Sequence, residues 1–144
     1  MSLFERLKTE SAIWICEPPA SETEIQNLVS QFGNNLPKEY LNLLRFCNGG
    51  KGDLAVQPVL FHLWSTQETI EANRDFGVDE FLPNFVLFGG DGANEVFAFR
   101  VDANQSKIYM IPLIVMSEED AIVVAENFTD FIESIGREHK ESDT

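Results

Sequence analysis

The chain carries 144 residues, 24 of them acidic against 10 basic, for a net charge of −14. A surface of that sign repels phosphate backbones, which excludes direct nucleic-acid binding. The longest apolar run, Met110 to Met116, has seven residues with a proline among them, far short of the roughly 20 that cross a bilayer.

From the start of the chain, Glu5, Arg6, Lys8 and Glu10 interrupt the apolar positions before Cys16. No secretory core forms there, and a cytoplasmic protein is expected. Cys16 and Cys47 are the only cysteines, each beside a large apolar neighbour (Ile15; Phe46). In a cytoplasmic chain they are expected as buried free thiols.

The first helix opens on Ser21-Glu22-Thr23-Glu24, a capping box in which hydroxyl and carboxylate each satisfy an orphan backbone donor. Ile25, Leu28, Val29 and Phe32 follow at i, i+3, i+4 and i+7, and Gly33 stops the helix. The second helix starts with Pro37 at its first position, carries the stripe Tyr40, Leu43, Leu44 and Cys47, and ends at Asn48-Gly49-Gly50. Strand material begins at Leu60 to Trp64, with His62 on the face of Leu60 and Trp64. Ser65-Thr66-Gln67-Glu68 opens a polar helix whose thin apolar face predicts a surface position. Phe85 to Phe88 and Asn94 to Val101 flank the turn Gly89-Gly90-Asp91-Gly92. In the second strand, Phe97, Phe99 and Val101 face one way, and Val96, Ala98 and Arg100 the other. After a turn at Asp102 to Ser106, Lys107 to Ile111 continues an antiparallel meander, with a short strand at Ala121 to Ala125. Asn127 caps a last helix, with Phe128, Phe131, Ile132 and Ile135 as its stripe and Gly136 as its stop.

Helices first, then strands, then a closing helix indicate an α+β fold. No repeat or linker interrupts the chain, so residues 1–138 form a single domain and residues 139–144 a polar tail.

The chemistry of catalysis finds little footing. The Gly89 to Gly92 loop leads into a strand and lacks a following Gly-Lys-Ser/Thr, so it is a hairpin turn and not a phosphate cradle. Cys16, Cys47, His62 and His139 include no pair at a ligand spacing, so no metal and no cofactor are expected. No nucleophile elbow occurs, and a carboxylate pair such as Asp91 and Glu95 is undistinguished among so many acids. A non-catalytic binding protein is expected.

Three motifs carry a resemblance. Leu36-Pro37-Lys38-Glu39-Tyr40, then Leu43-Leu44, then Phe46-Cys47-Asn48-Gly49-Gly50 is similar to the "LP-x-x-Y … L … NGG" signature of the SUKH superfamily, the Smi/Knr-like domains. Downstream, Phe85 to Gly92 followed by Glu95 to Phe99 resembles its glycine-Asp turn. Ala125-Glu126-Asn127-Phe128-Thr129-Asp130-Phe131 resembles its closing helix, with Asn127 replacing the usual Ser as cap. The resemblance covers about residues 12–136. It implies a mostly antiparallel central sheet flanked by helices, with Leu36, Pro37, Tyr40, Asn48, Gly49, Gly50, Gly89, Asp91, Gly92 and Phe128 mainly structural.

For bacterial members it implies an immunity protein that neutralises a toxin, often a nuclease; fungal members are regulatory scaffolds in cell-wall signalling. A nuclease needs a basic cleft, which an acidic protein can occupy by charge complementarity. The acids are unevenly spread: Glu68 to Glu95 holds seven against Arg74 alone, and residues 118–144 hold nine against two bases. Asp75, Asp79, Glu80, Asp91 and Glu95 would supply the field, with Trp64, Phe76 and Phe81 as anchors. The partner expected is a basic toxin domain, with no membrane. The alternatives are a regulatory protein–protein module without a toxin, or a small-ligand-binding or hydrolase domain.

Overall fold

Alternation along the strands divides the side chains between two faces, and the computed structural model, which describes residues 14–33, 36–53, 60–100 and 107–133, shows what each face meets. Seven strands, β1 (Trp14–Cys16), β2 (Gly50–Asp53), β3 (Leu60–Leu63), β4 (Phe85–Gly90), β5 (Glu95–Arg100), β6 (Ile108–Pro112) and β7 (Ile122–Ala125), lie in chain order in one sheet. Every neighbouring pair is antiparallel. Phe61, Leu63, Val86, Phe88, Phe97, Phe99 and Ile108 fill one face. They meet the apolar stripes of α1 (Glu22–Phe32), α2 (Lys38–Phe46) and α5 (Phe128–Glu133). Phe85, Leu87, Val96, Ala98 and Ile111 form a smaller core on the other face. Val78 and Leu82, at α4 (Val78–Phe81), close it. Leu113, Met116 and Ala121, from the excursion between β6 and β7, pack at its margin, and Arg100 pairs with Glu118 of that excursion at 2.7 Å.

The local signals explain the helices. Ser21 Oγ accepts from the Glu24 N–H at 3.1 Å while Glu24 Oε1 accepts from the Ser21 N–H at 2.8 Å, the expected capping box. Asn127 Oδ1 accepts from the Asp130 N–H at 2.8 Å and caps α5. Pro37 sits one place outside its expected position, as the extended cap residue of α2. Tyr40 is fully buried among the rings of Phe88, Phe99 and Phe128, and burial pushes its hydroxyl pKa well up. Val101, the Asp102 to Ser106 turn, Ile135, Gly136 and the 139–144 tail lie outside the described residues.

The structure adds to one expectation and overturns another. The polar helix, α3 (Thr66–Asp75), is not merely laid on the surface. Its buried face is Thr66, Thr69 and Asn73, and it docks by hydrogen bonds. β3 pairs with β4 only at His62–Gly90 and Leu63–Gly89, which leaves the Leu87 backbone without a strand on that side. Asn73 completes it: Oδ1 accepts from the Leu87 N–H at 2.9 Å and Nδ2 donates to the Leu87 carbonyl at 2.9 Å. Nδ2 also donates to the Thr69 carbonyl at 2.7 Å. A side-chain amide thus takes the place of a missing strand residue.

The cysteines are the correction. Cys16 and Cys47 form a disulfide, with Cα atoms 5.3 Å apart, within the ordinary range. β1 runs antiparallel to β2 with Cys16 opposite Gly50, and Cys47 ends α2 just before that strand. The turn through Asn48 and Gly49 therefore brings the thiols together. The expectation of free thiols followed from placing the chain in the cytoplasm, and the bridge contradicts it. Closing a loop of 31 residues corresponds to about 3–4 kcal/mol of chain entropy. Urea unfolding with and without reductant should differ by about that amount, and Cys16→Ser should match the reduced protein.

β1 and β3 approach their neighbours closely at two glycines. A Cβ on Gly50 would lie 2.6 Å from the Trp14 ring and from the Ile15 carbonyl, and one on Gly89 would lie 2.5 Å from the His62 carbonyl. Neither backbone contact can give way, so only glycine fits.

Candidate partner-binding surface

On α3, Glu68, Glu71, Ala72 and Asp75 recur at helical spacing on the side away from the buried threonines. With Trp64 and Phe76 they line a shallow hollow of about 260 Å³. Gly77, at φ +67°, turns the chain into α4, whose Asp79 and Glu80 are exposed. Phe81 is 56% exposed and Phe76 37%; the Phe81 ring rests beside Gly77. Asp79 and Glu80 also border a hollow of about 480 Å³ with Gln31, Phe32, Ile70 and Arg74.

The charge on this surface is one-sided. Residues 66–81 contain five acids and a single base, Arg74. Arg74 pairs with Asp75 at 3.2 Å, with both side chains largely exposed, and such a pair holds little energy. Glu71 accepts from Gln67 at 2.7 Å and Glu68 Oε1 accepts from the Ser65 N–H at 2.9 Å. None of these contacts neutralises the field. Exposed aromatics set among exposed acids are the composition of an anchor inside a charged rim.

The structure divides the predicted contact residues. Trp64, Asp75, Phe76, Asp79, Glu80 and Phe81 come together around α3 and α4. Asp91 and Glu95 stand apart from the α4 residues but close to Trp64, whose ring would lie 3.8 Å from a Cβ on Gly90. They sit at the far end of β4 from α4, about 17 Å along the strand. Asp91 Oδ1 accepts from the Ala93 N–H at 2.8 Å and the Glu95 N–H at 3.1 Å, so it shapes its own turn. Glu95 is half-buried, and its Oε1 has no hydrogen-bond partner among the described residues. Burial, and then the neighbouring Asp91 carboxylate, push the Glu95 carboxyl above its ordinary value. A carboxyl raised in the folded state favours folding below its unfolded pKa, and that advantage is lost as pH rises through the folded value. Glu95→Gln should therefore raise the urea midpoint at pH 7 and leave it unchanged at about pH 3, where both carboxyl states are protonated.

The motif residues hold the fold. Leu36, Tyr40 and Phe128 are buried. Asn48 Oδ1 accepts from the Thr66 N–H at 2.8 Å, which ties the Asn48-Gly49-Gly50 turn to the start of α3. Gly92 takes φ +79° in the hairpin turn. A hollow of about 540 Å³ beside Lys51 and His62 is bordered in part by groups already committed to structure. Glu24 and Glu68 are locked in capping boxes and Asn48 in its bond to Thr66. Among the described residues no group of three His, Cys, Asp or Glu side chains is placed to hold a metal ion, and no helix is long and apolar enough to cross a membrane.

A model of the SMI1 / KNR4 family (SUKH-1) matches residues 19–134, about four-fifths of the chain. The chain belongs to the SMI1 / KNR4 family. No curated protein matches it. The SUKH-1 span takes in every element from α1 to α5 and leaves β1 outside, joined to the family core by strand pairing and the disulfide. Both faces of α3, the one docked by Asn73 and the acidic one, therefore belong to the SUKH-1 domain itself.

Sequence reading did not single out Glu71 or the role of Glu68 within this surface. Helical phase places both beside Asp75, and the i, i+3, i+7 spacing was the available signal.

Proposed function

We propose that the protein is a non-catalytic immunity protein that binds a cognate toxin domain and blocks it with the acidic, aromatic face of α3 and α4. Membership of the SMI1 / KNR4 family supports a protein-binding role. The observation that carries the reading is the clustering of Phe76, Phe81 and Trp64 with Glu71, Asp75, Asp79 and Glu80. Phe76 and Phe81 stand exposed, with the half-buried Trp64 nearby, beside five acids and one base. A basic cleft, such as a nuclease needs for its phosphate substrate, is complementary to that face. Long-range attraction would speed encounter, and the aromatics would hold the complex once water is excluded.

The test is co-expression with a candidate toxin domain from a neighbouring reading frame. Survival of the producing cells and recovery of a one-to-one complex support the reading. Toxicity undiminished by the chain, with no complex recovered, overturns it.

A further inference from the structure

A terminal strand presents unpaired N–H and C=O groups to whatever can pair with them, and proteins usually blunt such edges with lysine, proline or very short strands. The sheet's first edge is blunted in this way. β1 has three residues, is fastened by the disulfide and runs into Pro18 and Pro19. The last edge is also short, at four residues, but has no proline or bridge to close it. β7 reads Ile-Val-Val-Ala, without charge or proline, and pairs only with β6 among the described residues. Val124 and Ala125 pack on the main core and fix the strand in place. Ile122 and Val123 point to opposite faces and are 55% and 41% exposed. Ile114, 89% exposed, stands in the turn that leaves β6 at the end where β7 begins.

We propose that β7 is a receiving edge for an extended segment of another protein, with alternating apolar side chains and Lys or Arg at its ends. The incoming backbone would extend the sheet, and its apolar side chains would cover Ile122 and Val123 on the two faces. Charge selects the occupant. Glu119 and Asp120 are exposed immediately before the strand and Asp130 beyond it. A second copy of this chain would bring the same acids and another −14, so self-pairing is repelled while basic ends are attracted. The edge lies three strands from β4, where α3 docks, and the inference stands independently of the function proposed above.

The probe is a fluorescent octapeptide with a valine–threonine–valine–threonine centre and two lysines at each end, titrated with the full chain and read by anisotropy. Saturable binding is expected, at about 10–100 µM. Ile122→Lys with Val123→Lys should weaken it at least about tenfold, while Glu71→Lys with Asp75→Lys, a larger charge change placed away from the edge, should weaken it by less than about threefold. Proline at the two central peptide positions, or glutamate in place of the lysines, should weaken it on the unaltered protein by a similar factor. No saturation by about 1 mM, equal binding of the proline peptide, or indifference to the β7 substitutions would overturn the proposal. A self-associated chain that Val123→Lys converts to monomer would overturn it as well, in favour of a second copy.

Discussion

Asn73→Leu should lower the unfolding free energy by about 3–5 kcal/mol. The side chain is close to isosteric, so little volume changes. What changes is that the Leu87 N–H and carbonyl lose their bonds at 2.9 Å in a buried setting, and the bond from Nδ2 to the Thr69 carbonyl is lost too. An unsatisfied buried backbone group costs about 1–3 kcal/mol, and a leucine returns only part of that as apolar contact. Asn73→Asp keeps an acceptor for the Leu87 N–H but loses both donations, so its cost should be comparable at neutral pH. Urea unfolding by tryptophan fluorescence measures both. A loss under about 1 kcal/mol for leucine would mean that the amide does not replace a strand.

Reversing two charges on the outer side of α3, Glu71→Lys with Asp75→Lys, should reduce affinity for the proposed toxin partner about a hundredfold or more. Stability should hardly move. The exposed Arg74–Asp75 pair has little energy to lose, and a lysine at the end of a helix suits its dipole. Phe76→Ala should cost at least about tenfold on its own, chiefly as faster dissociation, because an aromatic anchor acts after encounter. Surface plasmon resonance separates the two effects. The charge reversals should lower the association rate and remove most of its salt dependence, and the aromatic truncation should not.

Much of this architecture is written in local pattern. The Ser21–Glu24 box, the stripe from Ile25 to Phe32 and the alternation from Val96 to Phe99 each specify a partner face through spacing alone. The polar dock of α3 is different. Asn73 answers to the backbone of Leu87, fourteen positions away, and backbone groups leave no mark on side-chain pattern. β1 has too few residues to show alternation. β2, Gly-Lys-Gly-Asp, lacks strand-forming side chains because Gly50 must pass under Trp14. The disulfide follows from those two strands and could be read no sooner than they could.

The candidate surface was legible in the same uneven way. Composition showed an excess of acid between Glu68 and Glu95, but not its division. Helical phase gathers Glu68, Glu71 and Asp75, and the short α4 adds Asp79, Glu80 and Phe81 beside them. The length of β4 carries Asp91 and Glu95 to the other end of the sheet, where Asp91 caps its own turn. The exposure of Phe76 and Phe81 comes from Gly77, which turns the chain sharply between two helices and leaves both rings outside the core.

Amide hydrogen exchange on the chain alone and in complex with the proposed toxin partner tests the central claim most directly. Slowed exchange concentrated in residues 66–81, with the Gly89 to Glu95 hairpin little changed, is the predicted result. Protection appearing elsewhere while α3 and α4 exchange as they do in the free chain would contradict it.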